Sequence, residues 1–219
     1  EDYPELIGLV CNTVLLAKAS IQNAEYLLGK KCDANNFIEI KQVIDDLNAK
    51  SWTRDLEKSE AQSGVSTLGT ISETLLKRVF GSMVDKTNFF KVNASQVQSY
   101  GDFVLMCLPN NLWISVKSNF ARERLLASGY SNDILGVGFF ESFEEFTGQI
   151  RVRNFQRAGF LAMYCPDVAV SKAQVAAGTS TYQQIVDFHA ANGTDMPKNI
   201  NGRPFIRRLS DLQGDLQPL

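Results

Sequence analysis

Apolar positions recur at helical spacing through residues 5–29, at Leu6, Leu9, Val10, Val14, Leu15, Ile21, Tyr26 and Leu27. Gly29, followed by Lys30 and Lys31, supplies a stop. A second stripe, Phe37, Ile40, Val43, Ile44 and Leu47, predicts a helix over 36–49. Residues 50–69 are polar and end in a Ser/Gly/Thr-rich run, Ser63 to Gly69, which reads as a loop. Thr70-Ile71-Ser72-Glu73 has the spacing of a capping box, so a third helix is expected from Thr70 to about Phe80.

After Gly81 the period changes. Phe89 to Val92 reads as a short strand. Residues 102–108 and 112–117 read as two strands around Pro109-Asn110-Asn111, a hairpin signal. Ile134 to Phe140 predicts another strand, Glu141 to Arg157 a helix interrupted by Gly148, Gly159 to Tyr164 a strand, and Thr181 to Ala191 a helix. Helices followed by alternating strands and helices predict an α/β fold, a mixed β-sheet flanked by helices. The expected division is a helical region over 1–62 and a core with a C-terminal extension over 63–219, together one compact domain.

Composition narrows the function. With 44% hydrophobic residues, 14 Phe and only 6 Pro in 219 residues, the chain has the makings of a packed core and not of a disordered segment. Its apolar runs are too short to span a bilayer, and no secretory leader opens it, so a cytoplasmic location is expected. A net charge of −2 counts against nonspecific coating of nucleic acid, while leaving room for a basic cleft. Cys11, Cys32, Cys107 and Cys165 show no paired spacing and read as free thiols. His189 is the one histidine; it rules out zinc sites that need two, and in its helical setting it reads as structural. Neither a phosphate-binding Gly-rich loop nor a serine-nucleophile motif is present.

The hairpin concentrates the chemistry. A turn centred near Pro109-Asn110 puts Asp102 across from Lys117 or its neighbour, and alternation puts Trp113, Ser115 and Lys117 on one face. Gly101-Asp102 on one strand and Ser115-Val116-Lys117 on the next resemble the PD-(D/E)xK nuclease superfamily, which includes many type II restriction endonucleases. In that family an Asp opens one hairpin strand and an acid-x-Lys lies on the next. Here Gly replaces the Pro before Asp102, and Ser115 stands in the acidic position, as in restriction enzymes with a Ser-Val-Lys variant. The family's upstream helix often carries a Glu, a place occupied here by Glu73. The resemblance covers residues 70–165 and implies a restriction-endonuclease-like sheet. A cross-strand ion pair on a surface hairpin, and a capping role for Glu73, are the plainer readings of the same residues.

The resemblance implies Mg²⁺-dependent, site-specific hydrolysis of phosphodiester bonds in double-stranded DNA, with Mn²⁺ as a substitute. Asp102 would be the central metal ligand, Glu73 a second, and Lys117 the group that orients or deprotonates water and offsets charge on phosphorus. Ser115 brings an oxygen but no charge. The replacing carboxylate is expected at Glu141, with Glu123 and Glu144 as rivals. Asn119, Arg122 and Arg124 after the lysine strand, and Arg151 and Arg153 with Asn154, Gln156 and Arg157 at helical spacing, are candidate DNA contacts. Arg207-Arg208 is a weaker basic pair. A homodimer and a host DNA methyltransferase that protects the same site are the implied partners. A structure-specific repair or recombination nuclease, and a non-catalytic binding protein, remain the alternatives.

Overall fold

Helical periodicity at the start of the chain produces α1 (Tyr3–Leu28) and α2 (Phe37–Ser51), close to the expected bounds. This computed structural model describes residues 3–51, 58–92, 101–117 and 133–217, with side chains at 16–47, 67–92, 101–117 and 133–217. Ala17, Ile21 and Ala24 of α1 and Phe37, Ile40 and Ile44 of α2 are buried, and the two helices pack together. The third helix, α3 (Lys58–Met83), is longer than its sequence suggests. Residues 58–69, expected as loop, are helical, and Thr70 lies inside α3 and caps nothing. Hydroxyls that favour loops are satisfied here by turning back one turn: Ser72 Oγ donates to the Leu68 carbonyl at 3.0 Å, and Thr74 Oγ1 to that of Thr70 at 2.7 Å. Glu25 of α1 ties down α3 through Arg78, whose guanidinium donates to Oε1 at 2.8 Å, while the Cys32 amide donates to the same oxygen. Burial pushes the Glu25 carboxyl up, but the Cys32 amide, Arg78 and Lys31 outweigh it and hold it below its ordinary value.

The chain divides into two compact units, Glu1–Ser82 and Met83–Leu219. The expected boundary at 62/63 therefore falls inside α3, and the helical unit extends through Ser82. No helix of the described residues is long and apolar enough to cross a membrane.

The second unit is built on a mixed sheet. Its strands are β1 (Phe89–Lys91), β2 (Phe103–Leu105), β3 (Leu112–Lys117), β4 (Ile134–Gly138), β5 (Phe160–Cys165) and β6 (Ile206–Arg208), adjacent in chain order among the described residues. β1, β2 and β3 pair antiparallel as a meander; β3, β4, β5 and β6 run parallel. The carboxyl ends of the parallel strands thus open on one side of the unit. Glu141 to Arg157 does not form the single helix expected. It gives α4 (Glu144–Thr147) and α5 (Gln149–Arg157), separated by Gly148 in an extended conformation at ψ 115°. α6 (Lys172–Ala177) and β6 lack a strong periodic signal and are additions to the expected elements; α7 (Thr181–Ala191) matches its expected span, and a 3₁₀ turn at Leu209–Asp211 leads into α8 (Leu212–Leu216).

β4 is buried along its whole length. One face of the sheet packs a core of Ile134, Phe140, Phe146, Val152, Phe155, Phe160, Met163, Cys165 and Ile185, with Trp113 and Tyr182 against it. The segment leaving β4 is clamped by polar groups. Thr181 Oγ1 donates to the Phe140 carbonyl at 2.5 Å, and the Gln174 amide nitrogen reaches the Glu141 carbonyl at 3.2 Å and Thr181 Oγ1 at 2.9 Å. Gln174 Oε1 in turn accepts the Val170 amide at 2.9 Å. Gln174 is only 3% exposed and Thr181 is fully buried, so neither side chain can turn to water instead. Gln174→Leu is expected to destabilise the fold by about 3 kcal/mol, because it strands several buried partners. A urea unfolding series checks this value, and a loss below about 1 kcal/mol contradicts the clamp.

Candidate active site

The β2–β3 hairpin fixes the positions of the two residues that the sequence singles out. Its register pairs Phe103 with Ile114, Val104 with Trp113 and Leu105 with Leu112. One step further, Asp102 falls across from Ser115, two residues short of the expected partner Lys117. The longer connection between β2 and β3, in which Cys107 Sγ donates to the Asn110 carbonyl, shifts the register. The acid and the lysine meet all the same. Lys117 Nζ lies 3.9 Å from Asp102 Oδ2, and the Val116 amide donates to that oxygen at 2.6 Å.

This geometry is open and held by backbone. The Asp102 amide donates to the Ile114 carbonyl at 2.8 Å, which anchors the residue to β3 on both its backbone and its carboxylate. The side chains of Lys117 and Asp102 are 25% and 27% exposed, so solvent and a solute can reach both. At 3.9 Å the contact is too long for a hydrogen bond, leaving the ammonium able to donate to a third group. The departure from Pro before the aspartate has a steric reason. A Cβ on Gly101 would sit 2.9 Å from the Ile114 carbonyl oxygen, a backbone atom that cannot move aside.

Gly138 does the same for the lysine. It pairs with Lys117 across β3 and β4, and a Cβ there would lie 2.6 Å from the Lys117 carbonyl oxygen and 2.9 Å from the Phe140 ring. Ser115 shares a face with Asp102 and Lys117 but is 2% exposed, so its hydroxyl stands with the core side of the site and not its open side.

The other expected residues scatter. Glu73 is half-buried in the middle of α3, in the helical unit, and the capping role is gone. Glu141 is half-buried just past β4, its carbonyl held by Gln174. Glu144 is exposed and accepts the Ser142 hydroxyl at 2.6 Å. Arg151 and Arg153 point outward from α5 while Val152 and Phe155 point inward, which places them on the helix layer and not at the strand ends. Gln156 is structural, donating to the Lys198 carbonyl at 2.7 Å. His189 is buried, with Nδ1 2.8 Å from Thr194 Oγ1. Asn119, Arg122, Arg124 and Glu123 lie outside the described residues. Cys32, Cys107 and Cys165 are free thiols.

One carboxylate escaped the sequence reading. Glu145 is buried on α4; burial, and after it the Glu145 charge, push the Cys165 thiol well above its ordinary value. Cys165 follows Tyr164, the partner of Val137, so it stands beside Gly138 and two strands beyond Lys117. The signal was the inward phase of Glu145 next to Phe146, hidden because 141–157 reads as one helix.

Among the described residues no group of three or more His, Cys, Asp or Glu side chains could enclose a metal ion. Mg²⁺ does not require such a cage; it is commonly held by one or two carboxylates, several waters and substrate phosphates. A partly exposed Asp102 at the strand ends fits that mode of binding. Comparison of the chain with protein-family models, curated proteins and solved structures finds no match.

Gly138→Ala is expected to cost about 1–3 kcal/mol, since either the Lys117 carbonyl or the Phe140 ring must shift. Urea unfolding measures the loss, and the amide resonances of Lys117 and Phe139 should move most in an NMR spectrum. An unperturbed Lys117 amide would contradict the close approach.

Proposed function

We propose that the chain is a Mg²⁺-dependent endonuclease that cuts double-stranded DNA at specific sites, in the manner of a type II restriction enzyme. The observation that carries this reading is the partly exposed Asp102–Lys117 pair at the carboxyl ends of the parallel strands. The mixed sheet, and the helix, strand meander and later helix–strand order around it, agree with the restriction-endonuclease-like core that the sequence resemblance implies.

When bound, Mg²⁺, or Mn²⁺ in its place, supplies charge stabilisation to phosphoryl oxygens and makes water easier to deprotonate. Asp102 would hold it, with Glu141 as a proposed further ligand. The Val116 amide keeps the Asp102 carboxylate in one orientation, so the ligand does not have to be ordered during the reaction. Lys117 Nζ would donate to the attacking water and to the phosphoryl oxygens on which negative charge develops. The buried Ser115 contributes no charge, and Glu145 joins Glu141 as a proposed source of the missing carboxylate. The chain is proposed to act in the cytoplasm as a homodimer, beside a methyltransferase of the same sequence specificity.

Digestion of plasmid and phage DNA with Mg²⁺ tests the reading. Discrete fragments that disappear with EDTA are expected; a smear or a preference for branched DNA would instead favour a repair nuclease, and intact DNA would favour a binding protein. Asp102→Ala or Lys117→Ala should lower the cleavage rate by a factor on the order of 10² or more. Either variant cutting at the parent rate would remove the pair from the mechanism.

In a gel-shift series, Ca²⁺ should support specific binding without cutting, because it takes oxygen ligands in looser geometry than Mg²⁺. Asp102→Asn should bind DNA without metal about as well as the parent does with Ca²⁺, since the carboxylate no longer repels the phosphate. Cutting in EDTA would refute the metal mechanism.

A further inference from the structure

We propose that Arg208, at the end of β6, is a fixed contact for the phosphate backbone of DNA that lies across the strand ends; this deepens the nuclease reading and rests on it. Register leads from the lysine to the arginine. Lys117 pairs with Gly138, Cys165 follows the Tyr164 that pairs with Val137, and Cys165 pairs with Arg208. The four positions therefore form one row across β3, β4, β5 and β6, with side chains on the same face of the sheet. Three strand spacings separate its ends, about 14 Å. Duplex DNA carries a charge for every ~1.7 Å of its axis, so that distance spans several phosphates.

The two neighbouring arginines differ sharply. Arg207 faces the other way, where its guanidinium donates to Asp215 Oδ2 at 2.7 Å and to Tyr164 Oη at 3.3 Å. Its charge is used inside the fold. Arg208 is exposed, makes no ion pair among the described residues, and stands 5.3 Å from the centre of the Tyr182 ring. A ring platform orients the guanidinium without neutralising it, which suits the planar fork to a phosphate. Two nearby carboxylates are taken up by the fold. Asp167 accepts both the amide and the hydroxyl of Ser210, and Glu145 is buried.

The test measures binding of a labelled random-sequence duplex by fluorescence anisotropy in Ca²⁺, between about 50 and 200 mM KCl. Arg208→Gln should lower the slope of log Kd against log salt by about 0.9, the loss of one phosphate contact, and raise Kd about eightfold near 0.1 M salt. Arg208→Lys should restore most of the slope. Arg207→Gln should leave the slope unchanged and lower thermal stability instead. An unchanged slope for Arg208→Gln, in a protein whose parent binds and cuts DNA, overturns the contact and leaves the nuclease reading standing. A parent that neither binds nor cuts the duplex overturns both.

Discussion

β4 pairs in parallel on both sides and is buried on both faces, so whatever stands next to it has to fit within strand spacing. Two of its five residues are glycines, and each yields space to a specific neighbour. At Gly136 a Cβ would overlap the Met163 sulfur, at 2.3 Å; at Gly138 it would press on the Lys117 carbonyl. The first lets a large side chain of β5 fill the core above the strand. The second sets how closely β3 lies to β4 where Lys117 leaves the sheet. The candidate site therefore inherits its geometry from the packing at the centre of the unit and not from a surface loop.

The strand ends are then finished by polar groups with little freedom. Gln174 and Thr181 hold the backbone that leaves β4, and Asp167 and Ser210 join the segments that leave β5 and β6. Asp102 belongs to this set, because its carboxylate closes on the Val116 amide while remaining partly exposed. Unpaired buried polar groups are costly, so such contacts define one arrangement of loops above the sheet. A site built on rigid elements of this kind can orient charges before a substrate arrives.

Much of the second unit was legible because its strands are short apolar runs bounded by turn residues. Trp113, Ser115 and Lys117 alternate as a strand should, and the acid–lysine pair follows from the hairpin. The register was not legible, since residues 106–111 leave the ladder before the turn closes. The Ser/Gly/Thr run ahead of Thr70 misled for a different reason: residues that favour turns in isolation are carried along inside a longer helix, α3. Burial was the hardest property to read. Glu144 and Glu145 are adjacent in sequence, yet one is solvated and the other enclosed, and only the break at Gly148 settles the phase of that short helix.

β6 bears on assembly. It has three residues, follows Pro204, and passes at once into a 3₁₀ turn. Its inner edge is taken by β5, and the outer edge offers too few backbone groups to template another strand. An approaching chain would find no continuous ladder at this margin. The sheet is consequently guarded there against runaway polymerisation, and neighbouring molecules can meet at this border through side chains alone.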